Sequence, residues 1–251
     1  MSFYTYLREI VNTVGLAYAR FLCRREYLHR QFCGVNERPV EYAFVFKCLT
    51  RIWPINVLDI GTGQSSLPHL MSTCGFLVTA IDKMGQYWRY PANNRHYHII
   101  YDDITATHLI DEFDLITCIS VLEHIQEHDQ AVQSMFSLLK PGGHLILTFP
   151  YNDHSYHGNV YDFPGSTVIE KPHFITQAFS RSELEGWLSA NQAAIVDQEF
   201  WRFYTGDYWT CGERVQPPEQ VSREMPHQVT CLLIRKGVAA EVATDVRQDS
   251  P

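Results

Sequence analysis

The 251-residue sequence predicts an α/β protein built on an open, mostly parallel sheet. Three observations lead there. The run Val57-Leu58-Asp59-Ile60-Gly61-Thr62-Gly63-Gln64-Ser65-Ser66-Leu67 reads as a strand covered on both faces, a glycine turn and the first turn of a helix. Two further apolar runs, 77–81 and 98–101, each end in acid, at Asp82 and at Asp102-Asp103. Finally, Leu138-Leu139-Lys140-Pro141-Gly142-Gly143 stops a helical stretch and leads into the apolar run 144–149, as when a crossover helix enters a neighbouring parallel strand.

Composition narrows the classes. Hydrophobic residues make up 45% and charged residues 19%, enough for a sizeable core. The formal net charge is −8 without a Lys/Arg block, which argues against a long nucleic-acid footprint but leaves room for a small local groove; the expected partner is a small-molecule substrate. Seven cysteines, at 23, 33, 48, 74, 118, 211 and 231, form no C-x-x-C pair and include positions inside apolar runs. Reduced thiols in a cytoplasmic protein are expected. Arg8, Glu9 and Arg20 interrupt the N-terminal apolar stretches, so no signal peptide is expected, and no run approaches the ~20 apolar residues of a membrane span. The expected state is a monomer or homodimer away from membranes.

In chain order, residues 3–30 carry no proline and repeat apolar residues at Phe3, Leu7, Ile10, Val11 and Val14. They predict one or two amphipathic helices, serving as a packing or dimer contact or as a lid. Asn36-Glu37-Arg38-Pro39 reads as a helix start, with the helix running to about residue 52 before Pro54. Arg38, Glu41 and Tyr42 are its candidates for a ligand pocket, against the plainer expectation of a polar helix surface. Residues 1–55 are thus read as an N-terminal helical extension or cap, 56–237 as the main domain and 238–251 as a mobile tail.

Within the main domain, Gly61 and Gly63 let the backbone reach φ > 0 and approach a ligand closely. Leu67 stands where a dinucleotide site carries its third glycine, and the carboxylate of Asp59 at the strand tip suits an ammonium group better than a pyrophosphate. Asp82, 23 residues after Asp59, suits a ribose diol. A fourth strand is expected at 113–120, a helix at 129–139 and a fifth strand at 144–149. Residues 151–177, polar and aromatic, read as a loop beyond the fifth strand and a candidate substrate lid. Ser180 and Glu183 form a capping box for a helix to about residue 190. Strands near 194–203 and 229–235 close the sheet, with 204–226 as an elaborated loop between them.

The segments Val57-Leu58-Asp59-Ile60-Gly61-Thr62-Gly63, Phe113-Asp114-Leu115-Ile116 followed by Val121-Leu122-Glu123-His124, and Leu138-Leu139-Lys140-Pro141-Gly142-Gly143 resemble those of class I S-adenosylmethionine (SAM) methyltransferases over residues 56–150. The resemblance implies a Rossmann-like seven-stranded sheet of order 3-2-1-4-5-7-6, flanked by helices, with the last strand antiparallel. It also implies SAM as cofactor and S-adenosylhomocysteine as its product. The cofactor would be held by Asp59, Gly61, Gly63, Gln64, Asp82, Lys83, Asp103, Ile104 and Ser120, with Asp102 as the alternative to Asp103 beside the adenine.

Methyl transfer is an in-line displacement in which orientation alone can supply roughly 7–11 kcal/mol. A hydroxyl acceptor also needs its proton removed, which makes His124, His154, His157 and His173 the candidate catalytic residues. The expected function is SAM-dependent methylation of oxygen on a small polar molecule such as a sugar or a natural-product intermediate. The alternatives are a nucleic-acid or N-methyltransferase, and a non-catalytic SAM-fold interaction module. Intact Asp59, Gly61, Gly63 and Asp82 argue against the module. No metal is expected. The segment 121–125 is also similar to the plant small-RNA 2′-O-methyltransferases, which implies Glu123, His124 and His173 as an alternative cation set, with Ser120 standing where those enzymes have their first glutamate.

Overall fold

The computed structural model describes residues 3–29, 36–83, 94, 96–168 and 172–238. Cys33 and the tail beyond Val238 lie outside the described residues. The chain divides into two units, Met1–Pro39 and Val40–Pro251. The first holds the helix α1 (Phe3–His29), an uninterrupted 27-residue helix.

The second unit opens within α2 (Arg38–Ile52), started by Asn36, whose Oδ1 accepts from the Arg38 N–H at 3.2 Å. The extension expected through residue 55 therefore divides. From Val40 onward the chain packs into the sheet unit and buries Val40, Phe44, Val45, Cys48 and Leu49. Trp53, at φ 51°, ends the helix with a left-handed residue ahead of Pro54.

The sheet has eight strands: β1 (Asn56–Ile60), β2 (Leu77–Asp82), β3 (Ile100–Tyr101), β4 (Phe113–Ile119), β5 (Leu139–Pro150), β6 (Ala193–Tyr204), β7 (Arg214–Val221) and β8 (Val229–Lys236). Their order is β3-β2-β1-β4-β5-β8-β6-β7. The first five run parallel, and β8 lies antiparallel to both β5 and β6. This keeps the expected order and corrects the count, because the segment read as a loop over 204–226 contains β7. That strand carries Pro217 and Pro218, which obscure it in the sequence. Proline lacks the ladder donor and is tolerated at a sheet edge, where β7 pairs only with β6.

Side chains alternate along the strands and divide the core into two layers. Leu58, Ile60, Ile116, Leu145 and Leu147 face one way, toward α4 (His128–Leu138) and α5 (Arg181–Ala190). Val57, Leu115 and Ile146 face the other way, toward α2 and α3 (Leu67–Thr73). Strand β5 begins at Leu139 rather than at residue 144. The Lys-Pro-Gly-Gly segment is absorbed as a register shift opposite 113–115, with Gly142 at φ +76°. The capping box of α5 forms as expected from Ser180 and Glu183.

The stretch 151–177 is pinned at several points. Tyr151 is buried and bridges to Phe179, His157 pairs with Ala178, and Ser166 pairs with Cys211 in the connection between β6 and β7. Among the described residues no helix is long and apolar enough to cross a membrane.

Candidate active site

Parallel register brings the C-terminal ends of the central strands level: Ile60 pairs with Ile81 in β2 and with Cys118 in β4. At the tip of β1 the chain turns through Gly61 and Gly63, at φ +69° and +51°. A Cβ on Gly61 would overlap the Val121 side chain, so this glycine lets the turn lie directly against the segment that follows β4. Asp59 is buried. Its Oδ2 accepts from the Thr62 hydroxyl at 2.6 Å and its Oδ1 from the Thr117 hydroxyl at 2.7 Å. The carboxylate read as an ammonium partner thus also braces the turn against β4.

Asp82 ends β2 and reaches back to the turn, its Oδ2 accepting from the Gly63 N–H at 2.7 Å. Gln64 is exposed at the crest of the turn. Ser65 Oγ accepts from the Leu67 N–H at 3.0 Å, whereas Ser66, the N-cap residue of α3, makes no side-chain cap bond. Asn94, which the sequence did not single out, donates its amide to the carbonyls of Gly63 and Ser65 at 3.0 and 2.8 Å.

Beyond β3 the two acids have different roles. Asp102 is buried and tied to the Thr107 hydroxyl at 2.5 Å and to the His108 backbone. Asp103 caps the short 3₁₀ turn Ile104–Ala106 through the Thr105 N–H at 3.0 Å and pairs with Lys83 at 2.6 Å. Burial would raise its pKa, yet the bonds from Lys83 and Thr105 hold it below the ordinary carboxylate value, so it stays charged. Ile104 is buried beside it.

Helix α2 supplies what the sequence left undecided. Glu41 is completely buried, and its Oε1 accepts from the Ser120 hydroxyl and, at 2.7 Å, from the Thr148 hydroxyl. Ser120 sits at φ +50° just past β4, with its N–H on the Thr148 carbonyl at 3.0 Å. Tyr42 meets Ser65 Oγ at 2.7 Å. Both side chains therefore approach the strand tips, so the polar-surface expectation fails for them. The reason is that α2 lies over β1 and β4 instead of preceding the sheet unit.

His124 closes the 3₁₀ turn Leu122–His124 after β4. Its Nδ1 lies 2.7 Å from the Ile175 carbonyl, which can only accept, so Nδ1 carries the proton and Nε2 is the basic nitrogen of the neutral ring. Nε2 stands 3.9 Å from the buried carboxylate of Glu123. Phe174 packs edge-on against the ring at 4.7 Å. His157 bonds to Ser155 Oγ at 2.9 Å and packs edge-on against the stacked rings of Phe163 and Tyr208. His154 and His173 are exposed. Of the four candidate histidines, His124 is the one fixed to a strand tip. Among the described residues no three His, Cys, Asp or Glu side chains are grouped to hold a metal ion.

A family model described as a methyltransferase domain matches residues 27–198. The chain belongs to the class I SAM-dependent methyltransferases. Among curated relatives, the ubiquinone biosynthesis O-methyltransferase of Alkalilimnicola ehrlichii is 34% identical over 171 residues, covering 63% of this chain and 67% of that protein. The enzyme of the same name from Glaesserella parasuis is 31% identical over 121 residues, 44% of this chain and 51% of that one. The matched part thus spans about half to two thirds of those relatives. Two solved structures share the fold. One is N-methyltransferase NodS from Bradyrhizobium japonicum, with a TM-score of 0.53 and 16% identity over 82% of this chain and 90% of that one. The other is the 1,6-didemethyltoxoflavin-N1-methyltransferase of Burkholderia thailandensis, with a TM-score of 0.54 and 15% identity over 90% of each chain.

The strand tips of this methyltransferase suit its cofactor. SAM carries an ammonium and a sulfonium, and the carboxylates of Asp59, Asp82 and Asp103 stand at the ends of successive strands with Lys83 paired among them. Gly61 and Gly63 take left-handed backbone conformations between Asp59 and Asp82, and Ile104 is buried next to Asp103. The methyltransferase also keeps inert thiols in its core: burial pushes Cys48 up to about 12 and Cys118 and Cys231 well above the usual thiol range.

Proposed function

We propose that the protein methylates a hydroxyl oxygen of a small polar molecule. The observation that carries the cofactor part of the reading is the bond from the Gly63 N–H to Asp82, which joins the glycine turn of β1 to the acid at the end of β2. In that pocket Asp82 would accept from the ribose hydroxyls, Asp59 would face the ammonium, and Asp103 with Ile104 would meet the adenine. Gly61 and Gly63 would bring the backbone up to the chain between them, with Gln64, Lys83 and Ser120 at the rim. The cofactor supplies a methyl group already activated on a positively charged sulfur.

The assignment to oxygen is supported by the O-methyltransferase names of the curated relatives. It is also supported by the state of His124. With Nδ1–H held by the Ile175 carbonyl, Nε2 is poised to take the acceptor's hydroxyl proton. The Glu123 carboxylate stands 3.9 Å from that nitrogen. The net charge of −8 supports a small acceptor over a nucleic acid. The described residues of 151–177, with His157 and Tyr156 among them, would wall the acceptor, and 56–237 together with α2 would make up the catalytic unit.

A panel of phenols, sugars, amines and oligonucleotides offered with methyl-labelled SAM tests the reading. Label recovered in an ether is expected. Label recovered only in amines or nucleic acid would overturn it.

A further inference from the structure

We propose that α1 pairs with α1 of a second copy of this chain as an antiparallel coiled coil. The family match begins at residue 27, so α1 lies almost wholly outside the matched methyltransferase domain. One set of its apolar residues follows a period of 3.5, alternating steps of four and three, with Tyr4, Val11 and Tyr18 widening that face on one side and Leu16 and Tyr27 lying off it. Leu7, Val14, Phe21 and Leu28 make one seam position, and Phe3, Ile10 and Ala17 the other, with Arg24 completing that series. Sustained over four heptads, this is the repeat of a helix that packs along its length on another helix. The six large apolar side chains of the seam are each between 44% and 81% exposed. A helix with such a stripe gains its stability from packing, and Gly15, in its interior, weakens it further on its own.

The charges choose the partner and the direction. In a parallel pair, Arg24 would face its own copy in the seam and Arg25 would flank it, setting like charges together at one end. In an antiparallel pair with residues i and 31 − i opposed, the seam layers are Phe3 with Leu28, Leu7 with Arg24, Ile10 with Phe21 and Val14 with Ala17. Every layer joins one seam position to the other, as antiparallel packing requires. The small Ala17 meets Val14 near the centre, and the larger Phe21 meets Ile10. Each arginine end lies along the partner's aromatic end, where Tyr4 flanks the seam on the side of Arg25 and gives a cation–π neighbour. The two basic ends thereby sit at opposite ends of the pair, roughly 40 Å apart for helices of this length.

Sedimentation equilibrium on the full-length chain tests this with variants of matched far-UV circular dichroism. The wild type is expected at twice the chain mass at micromolar concentration. Phe21→Glu, or Ile10→Glu should that variant fail to fold, is expected to weaken association at least tenfold. Leu7→Glu is expected to stay dimeric, because only the antiparallel register sets the new carboxylate against the partner's Arg24. A monomeric wild type, or a Phe21→Glu and Ile10→Glu pair that both stay dimeric, would overturn the proposal. Dissociation of Leu7→Glu along with the others would overturn the antiparallel register.

Discussion

Gly61→Ala should be costly for two separable reasons. The residue sits at φ +69°, where an L side chain loses about 1–2 kcal/mol. The new Cβ would also lie 2.9 Å from Val121 Cβ and closer still to both Val121 methyls. Relieving that overlap by moving the turn or the Val121 side chain costs about 1–3 kcal/mol more. The single substitution should therefore destabilise by roughly 2–5 kcal/mol and push the turn away from the cofactor. Removing the Val121 methyls separates the terms: in a cycle with Val121→Ala, the overlap should appear as a favourable coupling of about 1–3 kcal/mol while the backbone term remains. Urea unfolding followed by tryptophan fluorescence measures all four species. A Gly61→Ala protein within about 0.5 kcal/mol of wild type, or a cycle with no coupling, would refute the packing of the turn against the β4 exit.

Three further outcomes follow from the site. Glu41→Gln keeps an acceptor for the Ser120 and Thr148 hydroxyls and should be mild, whereas Glu41→Ala leaves the buried Thr148 hydroxyl without that acceptor. Urea unfolding should show a loss of about 1–3 kcal/mol for the alanine variant, and equal stability of the two would remove the bond from the account. His124→Asn should lower kcat by about 10²–10⁴-fold with cofactor affinity nearly unchanged, as single-turnover kinetics beside calorimetry would show, and full activity would exclude a base role. His227 and His144 have pKa values held below 6.5 by burial, so below about pH 6.5 the unfolded chain takes up protons that the folded chain refuses. Stability should therefore fall as pH drops from 6.5 toward the folded values, and more shallowly in His227→Gln; an identical pH slope in that variant would exclude the histidine as a cause.

The strands of the first half were legible because each joins an apolar run to a turn signal, and parallel pairing follows from the helices between them. The glycine turn, the place of Asp82 at the end of β2 and the capping box of α5 were legible for the same local reason. The role of Glu41 was not. A carboxylate on a helix reads as solvent-facing unless the partner hydroxyls are known, and Ser120 and Thr148 lie 79 and 107 residues away. The edge strand β7 was hidden by its prolines and its largely exposed side chains. Asn94 carries no motif and acts only through turn carbonyls that the fold delivers to it. His227 was likewise silent. It is buried just ahead of β8, stacked on Tyr151 at 5.8 Å with Nδ1–H on the Met225 carbonyl, and long-range packing places it there.

The most direct test of the cofactor site is calorimetric titration of S-adenosylhomocysteine into the wild type and Asp82→Ala. One-site saturable binding to the wild type is predicted, weakened roughly 10- to 100-fold in the variant by loss of a charge-assisted contact worth about 1.5–3 kcal/mol. Asp82 also holds the Gly63 N–H, so the thermal unfolding of both proteins without ligand is measured alongside. No binding to the wild type, or equal affinity in a variant that folds as the wild type does, would contradict the site.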